Sequence, residues 1–128
     1  MARVSVVITS YNQKTYLREA LESVVHQTRR PDQIIVADDH STKDNLVEMV
    51  ERYAAQNPGW IQPLFQKENV GIPRNRNSAL RLVTGDYVAI LDGDDRFLPN
   101  NIERQLAALA EHPEAGCSHS NRYSIDAR

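Results

Sequence analysis

Cysteine is nearly absent: Cys117 is the only one in 128 residues. No disulfide can therefore close within the chain, and nothing points to an oxidising compartment. No apolar run approaches the ~18 residues of a membrane span; Val4–Ile8 and Tyr87–Leu91 have the length of buried strands. A basic surplus is missing too. Lysine and arginine number 15 against 17 acidic residues, a formal charge of −2 with a pI near 6.1. A general nucleic-acid binder usually carries an excess of cations. Met1-Ala2-Arg3 runs straight into strand-like sequence, which leaves no room for a signal peptide. Repeats, low-complexity tracts and linkers are also lacking. What is there, 41% apolar and 25% charged residues, is globular composition. The expectation is one soluble, cytoplasmic domain over residues 1–128, large enough to bury roughly two-thirds of its extended surface.

Val4, Val6, Val7 and Ile8 read as a strand buried on both faces, ended by the polar Thr9-Ser10-Tyr11-Asn12-Gln13. Tyr16, Leu17, Ala20, Leu21, Val24 and Val25 then recur at helical spacing. A second buried strand, Ile34–Ala37, ends at Asp38-Asp39, and Ser41 with Asp44 resembles a capping box. Leu46, Val47, Met49, Val50 and Tyr53 supply the next helix, stopped by Asn57-Pro58-Gly59. Ile61–Gln66 is a weaker strand that Pro63 assigns to an edge. Pro73 suits the first turn of a helix carrying Ala79, Leu80 and Val83. Tyr87–Leu91 is a strong strand ending in Asp92-Gly93-Asp94-Asp95. A helix with Ile102, Leu106, Leu109 and Ala110 follows, and a last strand is expected over Gly116–Tyr123.

Strands alternating with helices predict an α/β fold, a mostly parallel sheet with helices on its faces. Such sheets bind ligands beyond the carboxyl ends of their strands. Three polar clusters share that edge: Thr9 to Asn12, Asp38-Asp39 and Asp92 to Asp95. Three carboxylates within four residues repel one another unless a cation or solvent compensates. Hard ions such as Mg²⁺ or Mn²⁺ take oxygen ligands and share their shell with phosphates, while Gly93 permits a sharp turn close to a ligand. The same turn would also serve as a solvated helix cap. Asp38 or Asp39 can accept a base N–H or a sugar hydroxyl, or merely face the positive end of a helix. Tyr11 can stack on a base or be an incidental turn residue. Arg76, in a crowd of Arg74, Asn69, Asn75 and Asn77, suits a diphosphate as well as a solvated helix face. His26, His40, His112 and His119 lack metal-ligand spacing, and Cys117 reads as a small buried hydrophobe.

In this order, Val4–Asn12 (VSVVITSYN), Ser23–Thr28 (SVVHQT), Ile35–Ser41 (IVADDHS), Asn69–Leu80 (NVGIPRNRNSAL) and Gly85–Asp95 (GDYVAILDGDD) resemble the family 2 glycosyltransferases. The resemblance implies the Rossmann-like nucleotide-binding half of a GT-A fold, with helices on both faces of the sheet. It implies a nucleotide-sugar donor site in which Thr9 and Tyr11 flank base and ribose, with Asn12 and Asp38 also among the residues that bind the nucleotide sugar. Asp39 would hydrogen-bond the base, most often uracil. Asp92 would assist at the ribose or metal, Asp94 would ligate Mg²⁺ or Mn²⁺, and Arg76 would lie near sugar or diphosphate. His40 and Asn75 depart from the family's smaller residues at those positions.

Family members continue into an acceptor-binding half that supplies the catalytic base. Glu103, Glu111, Glu114 and Asp126 do not sit in the family's base motif, so the chain is expected to be truncated before that half. The partners implied are a nucleotide-sugar donor and, for the full enzyme, a glycan or lipid-linked acceptor. Self-association through a truncated sheet edge is a further expectation. Two rivals stay open: a non-catalytic nucleotide-sugar module, and a metal-dependent phosphate enzyme or receiver-type domain. The latter puts its essential Asp after the first strand, where this chain has Thr9-Ser10-Tyr11. No G-x-G-x-x-G follows that strand, which disfavours a nicotinamide site.

Overall fold

The structure, a computed structural model, describes residues 2–126. Chain order is β1 (Val4–Ser10), α1 (Lys14–Val25), β2 (Gln33–Asp38), α2 (Leu46–Gln56), β3 (Ile61–Phe65), α3 (Ile72–Leu80), β4 (Tyr87–Asp92) and α4 (Asn101–Glu111). The four strands form one parallel sheet in the order β3-β2-β1-β4. This is the expected α/β, Rossmann-like architecture.

The period-two alternation of β1 and β2 sorts their side chains into two layers. Val4, Val6 and Ile8 with Ile34 and Val36 face α1, α2 and α4, meeting Leu17, Leu21, Val50 and Ile102. Val7, Ile35 and Ala37 face α3 and meet Ala79, Leu80 and Val83. Each fully buried Leu, Ile or Val contributes about 1.5–3 kcal/mol, so the two central strands carry most of the fold. Gly85 is forced by the same packing, because a Cβ there would lie 2.7 Å from the Ser5 nitrogen.

Several expectations need correction. Gly116–Tyr123 forms no strand; an open cleft separates residues 116–120 from β4, so they cannot join its ladder. Tyr87–Leu91 is an edge strand buried only at Leu91, with Val88 and Ile90 exposed on the α3 face, because α3 packs over β1 and β2. Ser41 and Asp44 form no capping box. Helix α2 starts only at Leu46, after Asp44 and Asn45 in left-handed conformations, and no side chain caps it. Tyr16 and Cys117 are exposed.

Candidate functional site

Strand order reverses at β1: β2 and β3 lie on one side and β4 on the other. At that reversal the loops diverge and leave a crevice beyond the strand ends. The register puts Thr9 beside both Ala37 and Asp92, and Ser10 beside Asp38, so the three polar clusters end level. A cleft of about 490 Å³ opens there. Thr9, Ser10, Tyr11 and Gln13 line it from β1, Asp39 from β2, and Asp92, Gly93 and Asp94 from β4. Asn69, Gly71, Ile72, Asn75 and Arg76 close it from α3 and the loop before it.

Six of the eight expected site residues thus meet: Thr9, Tyr11, Asp39, Arg76, Asp92 and Asp94. Asn12 and Asp38 lie behind the wall. Asp38 is fully buried, and its carboxylate accepts Ser10 Oγ at 2.8 Å, the Ser41 N–H at 2.7 Å and Ser41 Oγ at 2.5 Å. Asn12, at φ +51°, donates its N–H to Ser41 Oγ, while its Oδ1 accepts the N–H groups of Thr42 and Lys43. Both residues fasten the β2–α2 loop to the end of β1.

Asp39 does two things at once. Its two oxygens accept the Val70 and Gly71 N–H groups at 2.7 and 2.9 Å, which fixes the start of α3, while its side chain still borders the cleft. Gly71 caps α3 at φ +90°, a conformation that suits glycine. Asn75, buried at 2% exposure, donates to the Ala37 carbonyl and accepts from Gln66 Nε2. Its larger side chain therefore ties α3 to β2, and Arg76 is aimed across the cleft mouth.

Arg76 Nη2 donates to Asp92 Oδ1 at 2.7 Å. Its Nε is buried with no hydrogen-bond partner, the one such buried side-chain atom among the described residues. The carboxylates of Asp92, Asp94 and Asp95 offer oxygens within 4.8 Å of one another. Asp95, expected in the following loop, joins this cluster. Partial burial, then repulsion from Asp94 and Asp92, pushes its carboxyl above the ordinary value of 3.8, with Arg122 opposing. Gly93 acts differently from expectation: its N–H bonds the Thr9 carbonyl at 2.7 Å, and a Cβ would sit 2.5 Å from that oxygen. Glycine is required there for close approach to β1.

The donor set is all-oxygen, anionic and exposed, which fits a hard divalent cation that completes its shell with phosphate and water. The partly exposed Arg76 guanidinium, which lines the cleft, suits a phosphate oxygen. Tyr11 and Ile72, 49% and 67% exposed, give the cleft apolar walls for a flat ring. Ile72 and Gln13 escaped the sequence reading; an apolar residue just before Pro73, on the first turn of α3, was the available signal.

A sequence profile described as Glycosyl transferase family 2 matches residues 5–127. An uncharacterised protein of Mycobacterium bovis, Mb1547, is 37% identical over 122 residues, covering 93% of this chain and 35% of that protein. The crystal structure of S. aureus TarS 1-349 in complex with UDP-GlcNAc superposes with a TM-score of 0.76 at 30% identity, covering 87% of this chain and 32% of that one. A mannosyltransferase from Pyrobaculum calidifontis, PcManGT, in complex with GDP-Man and Mn²⁺, gives a TM-score of 0.76 at 28% identity, covering 85% and 32%. The chain spans about a third of the length of each protein it matches here.

Proposed function

Because this chain belongs to glycosyl transferase family 2, we propose that its cleft is the donor site of an inverting, metal-dependent glycosyltransferase that uses a UDP-sugar. The observation that carries this reading is that the Asp92 and Asp94 carboxylates line one cleft together with Arg76, whose guanidinium contacts Asp92, while Asp95 completes a cluster of oxygens within 4.8 Å of one another. A nucleoside diphosphate with a divalent cation satisfies guanidinium and carboxylates at once. Complexes of TarS with UDP-GlcNAc and of PcManGT with GDP-Man and Mn²⁺ support the ligand class.

In this reading Thr9 and Tyr11 flank the base and ribose, with Tyr11 and Ile72 covering the ring. Asp39 accepts the base N–H through lone pairs left over from its bonds to Val70 and Gly71. Arg76 offers its guanidinium to the diphosphate. Asp94, with Asp92 and Asp95 in reach, would hold Mg²⁺ or Mn²⁺. When bound, that ion supplies Lewis-acid stabilisation of the departing diphosphate.

Inversion requires a base to take the acceptor's proton as its oxygen attacks the anomeric carbon. Among the described residues no carboxylate beyond Asp94 lines the cleft. The base therefore belongs to the remaining two-thirds of length seen in the relatives, and residues 1–128 hold the donor without completing transfer. We assign the full protein to the cytoplasm and to building polysaccharide on a glycan or lipid-linked acceptor. No helix among the described residues is long and apolar enough to cross a membrane.

Calorimetric titration with UDP, GDP, dTDP and ADP, with and without Mn²⁺, tests the site. UDP is expected to bind tightest, and Asp39→Ala to weaken it by about 1.5–3 kcal/mol, the range for a hydrogen bond to a charged group. Equal UDP affinity in the variant rules Asp39 out as the base acceptor.

A further inference from the structure

The loop that follows the acidic turn, residues 96–102, is gripped by a polar stripe on α1 and the turn after it. Glu19, Ser23 and Gln27 recur every fourth position and so lie along one side of the helix. Glu19 Oε2 approaches Arg96 Nη1 at 3.8 Å. Ser23 Oγ accepts the Phe97 N–H at 3.1 Å. Gln27, only 6% exposed, donates from Nε2 to the carbonyls of Leu98 at 2.7 Å and Ser23 at 3.0 Å, while its Oε1 accepts the Ile102 N–H at 3.0 Å. The Thr28 N–H bonds the Pro99 carbonyl at 2.8 Å. None of these side chains lines the cleft.

Phe97 and Ile102 already pack on the core, so apolar contact alone would keep this loop attached. Apolar packing tolerates small slides. A buried amide with all three bonds made tolerates one register only. The acidic turn is thus pinned at both ends, by the Gly93 N–H on Thr9 and by the loop on Gln27. Asp94 and Asp95 lie between the pins, and with Asp92, just before the first, they keep mutually repelling carboxylate oxygens within 4.8 Å of one another.

We infer that Gln27, with Ser23, is a positioning residue for the cation site, holding residues 96–102 so that Asp92, Asp94 and Asp95 converge despite their repulsion. The inference rests on the reading of that turn as a cation site, and its test separates the two. Mn²⁺ is titrated into the 128-residue chain with saturating UDP, free Mn²⁺ being read by electron paramagnetic resonance. UDP affinity is measured separately in EDTA. Gln27→Met removes the three bonds at nearly constant length and is expected to raise the Mn²⁺ dissociation constant about tenfold. Ser23→Ala is expected to raise it less, and UDP affinity in EDTA stays unchanged in both. If Gln27→Met does not fold, Gln27→Glu, which keeps the acceptor for Ile102 but loses the donor to Leu98, takes its place. Unchanged Mn²⁺ affinity in every folded variant overturns the inference, as does a loss of UDP affinity equally large with and without metal. The triple variant Asp92→Asn, Asp94→Asn, Asp95→Asn is the separate control: if it binds Mn²⁺ as the unaltered chain does, the cation-site reading itself fails, whatever Gln27 does.

Discussion

The two acidic groups at the carboxyl edge of the sheet differ in what answers their charge. Asp38 and Asp39 are buried, and every carboxylate oxygen accepts at least one bond from Ser10, Ser41, Val70 or Gly71. Asp92, Asp94 and Asp95 are exposed and face one another, and the ion pair from Arg76 to Asp92 is the one cation contact they make among the described residues. Burying a charge without partners would be prohibitive, so the first pair is part of the fold. The second is tolerable because water screens it, and its repulsion is left for a ligand to relieve. Identical side chains, both placed after apolar strands, therefore do opposite work: one group builds the cleft and the other waits in it.

Asp38→Ala is the substitution expected to show this most strongly. It strips three donors of their acceptor and leaves the buried Ser10 hydroxyl and the partly buried Ser41 groups without it. The loss should be about 3 kcal/mol, out of the roughly 10 kcal/mol typical of a domain this size. Urea unfolding measures it directly. Asp92→Ala, on the exposed turn, should stay within about 0.5 kcal/mol of the unaltered chain. A comparable loss in both variants would break the contrast.

That contrast was only half legible in the sequence. The β-branched runs of β1 and β2 announced buried parallel strands, and Pro63 marked β3 as an edge, because both signals are local. Tyr87–Leu91 is as apolar as β2, yet Val88 and Ile90 are exposed, since burial depends on whether a helix lies over the strand and α3 packs over β1 and β2 instead. The convergence of Thr9, Asp39 and Asp92 followed from strand alternation alone. Which of Asp38 and Asp39 faces the cleft did not. It turns on Ser10, 28 positions before Asp38, and on the Val70 and Gly71 N–H groups, 31 and 32 positions after Asp39. The same holds for Asn12, whose Oδ1 accepts the backbone N–H groups of Thr42 and Lys43.

The second way to sharpen the comparison is Asp94→Asn, which removes a charge at nearly constant volume. The fold should not weaken, because a repulsion disappears. UDP binding should instead lose its dependence on Mn²⁺. Metal and nucleotide each supply ligands for the other, and linkage makes the coupling reciprocal. A tenfold tightening of UDP by Mn²⁺ corresponds to about 1.4 kcal/mol, which the variant should abolish in a calorimetric comparison with a chelator. Coupling that survives would shift the ligand role to Asp92 or Asp95.

The smallest expected effect is the pH dependence of the empty acidic turn. Burial and repulsion from Asp94 and Asp92 raise the Asp95 carboxyl above 3.8, so the folded chain holds that proton more tightly than the unfolded one. Stability must then fall as pH rises from the ordinary value through the raised one, where the native state binds more protons. Asp32 works in the opposite sense. Its carboxylate accepts the Val4 N–H at 2.7 Å, the main cause of its lowered pKa, and Arg29 adds to it. Its stabilising share is therefore lost as pH falls through the lowered value. Asp95→Asn should remove the first slope and Asp32→Asn the second, each read as urea midpoints across the acid range. Saturating Mn²⁺ with UDP should also erase the Asp95 slope, because the bound charge favours the carboxylate. If Asp95→Asn leaves the pH profile of the empty chain unchanged, the carboxylates are relaxed by solvent alone, and the turn is no more strained than any exposed acidic loop.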